Sequence, residues 1–175
     1  MKRTWKATGL TLLALLMALP PHLLASKGAR TLEEQVRHEL ITLPYFGVFD
    51  DLSFQVNGNT VTLTGSVTRP ILKSDAENVV KRIAGVASVQ NEIEVLPLSR
   101  FDDRIRLAEL RAVYGHSALF RYRLGAIAPI RIIVKDGHVT LEGVVDREAD
   151  RNIAGMAANH VFGVFSVTNN LRVKS

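Results

Sequence analysis

Cysteine is absent from the 175 residues, which excludes disulfides, thiolate metal sites, cysteine nucleophiles and a lipid-modified N-terminal cysteine. No apolar run reaches the roughly 20 residues of a membrane-spanning helix. The longest, Gly9–Leu19, follows a basic stretch of Lys2, Arg3 and Lys6 and ends at the helix-breaking Pro20-Pro21-His22. With Leu23-Leu24-Ala25 as the processing site, residues 1–25 are predicted to be an export signal. Gly28 and Ala29 are alternative cleavage points, and Leu23 is large where a small residue is usual. An uncleaved inner-membrane anchor is therefore the alternative. Either way the folded part is expected beyond a membrane, in the periplasm or cell envelope of a bacterium.

Sequence signs of catalysis are equally sparse. The five histidines, His22, His38, His116, His138 and His160, fall in the signal segment and in four different elements. They show no metal-ligand spacing. Glu33-Glu34, Asp50-Asp51 and Asp102-Asp103 are adjacent acids near element starts, where capping and solvation account for them better than paired acid–base work. Ser53, Ser88, Ser117 and Ser166 lack the strand–turn–helix context of an activated nucleophile. A KH-type Gly-x-x-Gly loop and an aromatic RNA-binding strand are also missing. The expectation is a protein that is not an enzyme, with no cofactor, no metal, no nucleic-acid partner and no small-molecule substrate.

What the chain does have is an internal repeat. The segment Val61–Val95 recurs 78 positions later as Val139–Val173 without a gap, with 13 of 35 positions identical. Unrelated chains would match at about two. The shared positions are mostly glycine and apolar residues, which specify backbone and core. Two modules are predicted, over residues 30–97 and 100–174, joined by Pro97-Leu98-Ser99-Arg100.

Each copy shows the same order of elements. In the first, Leu32, Val36, Leu40 and Leu43 form one stripe of a helix, with Thr31 and Glu34 as a capping box and Pro44 as its stop. A short strand at Ser53–Val56 and a turn at Asn57-Gly58-Asn59 follow. Thr60–Val67 alternates cleanly and reads as a half-buried strand. The spacing then predicts a helix over Ile71–Ala84 and a third strand through Val89, Ile93 and Val95. The second copy offers a helix over Asp103–Tyr114, with Ile105, Leu107, Leu110 and Val113 inward. A long Gly115–Pro129 segment precedes strands at Ile130–Lys135 and Val139–Val145, joined by the hairpin pair Asp136-Gly137. An Ala-rich helix through Ile153–Val161 and a last strand through Val173 close the copy. Gly65 and Gly143 fall on apolar strand faces, where close approach of another backbone or of a helix is expected, and Gly85 and Gly163 sit where helix caps belong.

This helix–strand–strand–helix–strand order resembles the BON domain, a family of bacterial envelope modules. The resemblance rests on Asn57-Gly58, Val61-Thr62-Leu63-x-Gly65-x-Val67 and Gly85-Val86-x-x-Val89-x-Asn91-x-Ile93-x-Val95. Their partners are Asp136-Gly137, Val139-Thr140-Leu141-x-Gly143-x-Val145 and Gly163-Val164-x-x-Val167-x-Asn169-x-Leu171-x-Val173. It implies an α+β fold of two tandem αββαβ modules, each a three-stranded mixed sheet with two helices. It also implies a role in envelope maintenance or stress, with binding to phospholipid or membrane surfaces. The second copy departs from the pattern in its Gly115–Pro129 segment and in Phe162 and Phe165, which suggests that one copy binds while the other scaffolds.

Charge sharpens the choice between them. Residues 26–98 carry seven basic and nine acidic side chains, and residues 99–175 carry twelve and eight. A basic second copy suits anionic headgroups, and opposite net charges would also help the copies dock. Interleaved Arg and aromatic residues point to Phe120, Arg121, Tyr122 and Arg123, with Arg111, Tyr114 and Arg131, as a lipid-facing set. The competing reading is an adaptor that recruits an envelope protein.

Overall fold

The computed structural model describes residues 30–174; the expected export signal lies outside them. Helix α1 (Leu32–Ile41) begins at the predicted capping box. The Glu34 amide donates to the Thr31 hydroxyl at 3.2 Å, and the Thr31 amide donates to the Glu34 carboxylate at 2.9 Å. The helix stops two residues short of Leu43, where the Thr42 hydroxyl donates back to the His38 carbonyl. Leu43 remains in the core.

Strand β1 (Asp51–Asn57) pairs antiparallel with β2 (Thr60–Val67). Helix α2 (Pro70–Lys81) then crosses over. Proline at its first position supplies the φ a helix start needs and loses no hydrogen bond there. The chain returns parallel to β2 and directly beside it, so β2 is the central strand. The returning strand is broken into β3 (Ser88–Asn91) and β4 (Glu94–Val95), which the sequence pattern joins. Both pieces hold one register, because Thr60 faces Ser88 and Ser66 faces Glu94. Val61, Leu63 and Val67 of β2 pack against Val36 and Leu40 of α1 and Leu72, Ala76 and Val80 of α2 to form the first core.

Asn91 accounts for the break. Its carboxamide donates to the Lys73 carbonyl in α2 at 2.9 Å while its oxygen accepts from the Ile93 amide. The strand is thereby tied to the helix. Asn169 repeats both bonds with Arg151 and Leu171. Replacing either Asn by Ala leaves part-buried backbone groups without partners, and about 1–2 kcal/mol should be lost in each case. Comparable losses in urea unfolding of the two variants would show that the duplicated residue does the same work twice.

The second copy repeats this plan displaced by 78 residues: β5 (Ile130–Lys135), β6 (His138–Val145), α4 (Glu148–Asn159), β7 (Ser166–Asn169) and β8 (Arg172–Val173). Gly65 and Gly143 adopt φ of 112° and 119°, each facing the backbone carbonyl of an equivalent residue, Asp51 and Pro129. Gly85 and Gly163 are also left-handed, at 98° and 92°. They lie three residues beyond the helix-ending Arg82 and His160, however, in the turn rather than at the cap, because α2 and α4 end earlier than their apolar periodicity suggests. The hairpins differ: Gly58 takes the first turn position in one, whereas Asp136 and Gly137 both have positive φ in the other.

The first helix of the second copy breaks the repeat. Helix α3 (Arg100–Tyr114) starts three residues before the expected Asp103, capped by the Ser99 hydroxyl. It is also rotated from the expected orientation. Leu107 is 48% exposed, while Asp102, Ile105, Arg106, Glu109 and Val113 face inward. Two polar anchors set this rotation. Asp102 accepts from the amides of Asp136 and Gly137 in the β5–β6 turn, and Arg106 donates to the Val134 carbonyl at 2.7 Å.

The modules are joined along β5. Val48, in the loop after α1, accepts from the Ile132 amide at 2.9 Å, which covers the open edge of β5. Arg131 donates to the Gly47 carbonyl at 3.0 Å and lies over the Phe46 ring. Val48 and Phe49 then pack into the core of the second copy. Buried Asp50 holds this loop in shape, accepting from the Gly47 amide and from both the amide and hydroxyl of Thr68. Lys135 and Glu94 add an exposed ion pair across the junction.

Candidate functional site

The long segment between α3 and β5 is where the two copies differ most, and its first half is a 3-10 helix, Ser117–Arg123. With three residues per turn, side chains three apart share a face. Leu119 and Tyr122 point inward and are buried, while Phe120 and Arg123 point outward. The alternating Arg and aromatic run is therefore sorted into a structural half and an exposed half.

Several residues expected at a lipid surface belong to the structural half. The Tyr122 hydroxyl donates to Asp150 at 2.8 Å and accepts from the Asp146 amide at 2.7 Å. Arg121 pairs with Asp150 and Asp146, and also donates to the Tyr122 oxygen. This knot fastens the 3-10 segment to the start of α4 and neutralises Arg121. Tyr114 is buried at the end of α3, donating to the Ile130 carbonyl and accepting from the Ile130 amide, and burial pushes its pKa up to about 12. Arg131 is committed to the module junction, where burial lowers its pKa.

Arg111, Phe120 and Arg123 remain at the surface. The structure adds to them a stripe that the expected helix start concealed. Arg100, Arg104, Leu107 and Arg111 recur at four, three and four residues, so they share the solvent face of α3. Among the described residues, Arg100, Arg104, Arg111 and Arg123 form no ion pair with a carboxylate. Reading Ser99 as the N-cap would have placed this face from the sequence. Leu124 and Ile127 are exposed in the loop that follows the 3-10 segment.

Apolar features flank both ends of α3. At its start Phe101 and Phe165 rings lie 5.9 Å apart, and Arg104 sits over Phe101. Phe162, fully exposed, lies three residues before Phe165 in the same connection. The first copy has Ala84 and Ala87 at the corresponding positions. At the other end of α3 a cleft of about 390 Å³ opens between Leu110, the Tyr114 and Tyr122 rings, Ala128 and Val48, with Arg111 and Arg123 also lining it.

Among the described residues no group of three His, Cys, Asp or Glu side chains converges on a metal-sized space. No helix among them is long and apolar enough to cross a membrane. Glu109 is the strongly perturbed acid of the second module. It is fully buried, both carboxylate oxygens lack a hydrogen-bond partner, and burial raises its pKa to about 8. Arg106, one turn away, is already bonded to Asp103 and the Val134 carbonyl. Glu109 lines no part of the cleft, so its perturbation reflects packing.

The chain was compared with known sequences and structures, and the family model agrees with the two-module architecture. The chain is 28% identical over 130 residues to osmotically-inducible protein Y of Escherichia coli (strain K12). That match covers 71% of this chain and 62% of the relative, so it spans less than two thirds of that protein's length. An uncharacterized protein of Anaplasma centrale, from the gshII 5' region, is 29% identical over 133 residues, covering 73% of this chain and 85% of its own. The C-terminal domain of CdsD, a structural protein of the type III secretion system of Chlamydia trachomatis, aligns with 85% of this chain and 100% of that chain. It does so at 14% identity and a TM-score of only 0.30. The BON domain family model matches twice, at residues 29–97 and 116–175, leaving all of α3 between the matches. The chain thus belongs to the BON-domain family, with two copies of the domain.

Proposed function

We propose that this protein is a non-catalytic binding protein of the cell envelope that associates with anionic phospholipid surfaces through its second module. The observation that carries this reading is the stripe of Arg100, Arg104, Leu107 and Arg111 on the solvent face of α3, with Arg123 beside Arg111 at the cleft, none of these arginines paired with a carboxylate among the described residues. Arginine forks match phosphate oxygens, and exposed apolar and aromatic side chains settle at headgroup depth. With apolar features at both of its ends, α3 is suited to lie along a membrane plane. Export to the periplasm, expected from residues 1–25, would bring the module to such a surface.

Each basic residue at an anionic surface contributes about 1 kcal/mol. Replacing Arg111 and Arg123 together by Ala should therefore weaken co-sedimentation with phosphatidylglycerol vesicles by roughly thirtyfold at low salt. Absence of binding to anionic vesicles at low salt would instead favour an adaptor that recruits an envelope protein.

A further inference from the structure

We propose that the cleft at the C-terminal end of α3 takes one acyl chain of an anionic phospholipid whose phosphate is held by Arg111 and Arg123. This rests on the membrane-binding reading and goes beyond it, from attraction to a surface to capture of a single lipid. The lining chemistry dictates the ligand. Leu110, Ala128 and Val48 are apolar, and the two tyrosines offer only their rings. The Tyr114 hydroxyl is bonded both ways to Ile130, and the Tyr122 hydroxyl to Asp150, Asp146 and Arg121. A polar ligand would find no free partner inside. The charged groups lining the cleft are Arg111 and Arg123, both exposed and without an acidic partner among the described residues. An apolar slot beside two unpaired cations fits an anionic headgroup with its tail turned inward.

The size agrees. A methylene takes up about as much room as a water, roughly 30 Å³. The cleft of about 390 Å³ therefore has room for an acyl chain of roughly a dozen carbons. Val48 comes from the first module, so the wall is complete only when the modules are docked.

Dihexanoyl-phosphatidylglycerol, kept below its micelle-forming concentration, is the probe. Titration into the full-length protein followed by amide NMR should shift Gly115 and Gly125, which line the cleft, and calorimetry should give one lipid per protein. Glycerophosphoglycerol, the headgroup without chains, and dihexanoyl-phosphatidylcholine should each bind at least tenfold more weakly. Ala128→Phe and Leu110→Trp, confirmed as folded by circular dichroism, should lose the monomeric lipid yet keep low-salt vesicle binding, because the surface arginines are intact.

Vesicle binding without any shift of Gly115 or Gly125 would overturn the cleft assignment and leave the surface reading standing. Absence of vesicle binding would sink the surface reading itself. Equal binding of octanoate would overturn the choice of phospholipid in favour of a free fatty acid. The wild-type NMR titration decides the matter even if neither filling variant folds.

Discussion

Gly143→Ala should cost about 4 kcal/mol and lower the melting temperature by roughly 10 °C, enough to remove much of the stability of a small module. Two effects add. At φ of 119° the backbone lies where side-chain-bearing residues are strained, and a new Cβ would stand 2.0 Å from the Pro129 carbonyl oxygen. That oxygen is held in place, accepting from the Val144 amide, so it cannot easily withdraw. Gly65→Ala should behave alike, its Cβ meeting the Asp51 carbonyl at 2.3 Å. Gly85 separates the two effects. Its φ of 98° is also unfavourable, yet nothing lies within 4 Å of the added carbon, so Gly85→Ala should cost only about 1–2 kcal/mol. Thermal melts of the three variants test the ranking. A Gly143→Ala protein no less stable than Gly85→Ala would show that the sheet relaxes around the methyl.

Glu109→Leu should have the opposite sign. The carboxyl has a folded pKa of about 8 and an ordinary value of 4.5, so the native state holds its proton more tightly than the unfolded chain does. Stability from this group is fully present below pH 4.5 and is lost progressively as pH rises, until the folded carboxyl itself ionises near 8. The loss at pH 7 is on the order of 3 kcal/mol. Leucine, close in size and free of charge, should therefore raise the melting temperature at neutral pH by more than about 5 °C. It should also flatten the decline that the wild-type protein shows between mildly acidic and mildly alkaline pH. The same pH slope in both proteins would mean that Glu109 has found a partner in solution.

These two residues also mark what could and could not be read in advance. Gly143 was legible because it recurs: the 78-residue displacement aligns β2 with β6, α2 with α4 and β3 with β7 to the residue. Strand alternation and a lone glycine on an apolar face are local signals. Glu109 was not legible, since hydropathy places Leu107 and Leu110 inward and a glutamate outward. The rotation of α3 comes from Asp102 reaching the β5–β6 turn 34 residues on, and from Arg106 reaching Val134. Neither contact leaves a periodic trace. The candidate surface divides in the same way. Arginine and aromatic content singled out Phe120–Arg123. Which of them face solvent depended on the three-residue pitch of the 3-10 segment and on Asp150, far along the chain.

The loop at Val48 and Phe49 makes the relation between the copies unequal. Among the described residues, the first core draws only on those between Leu32 and Val95, all of them its own, whereas the second borrows Val48 and Phe49. A chain synthesised from its N-terminus onward would finish the lender before the borrower has appeared. The earlier module would then serve as a template on which the later one condenses, so the order of synthesis and the direction of dependence would coincide.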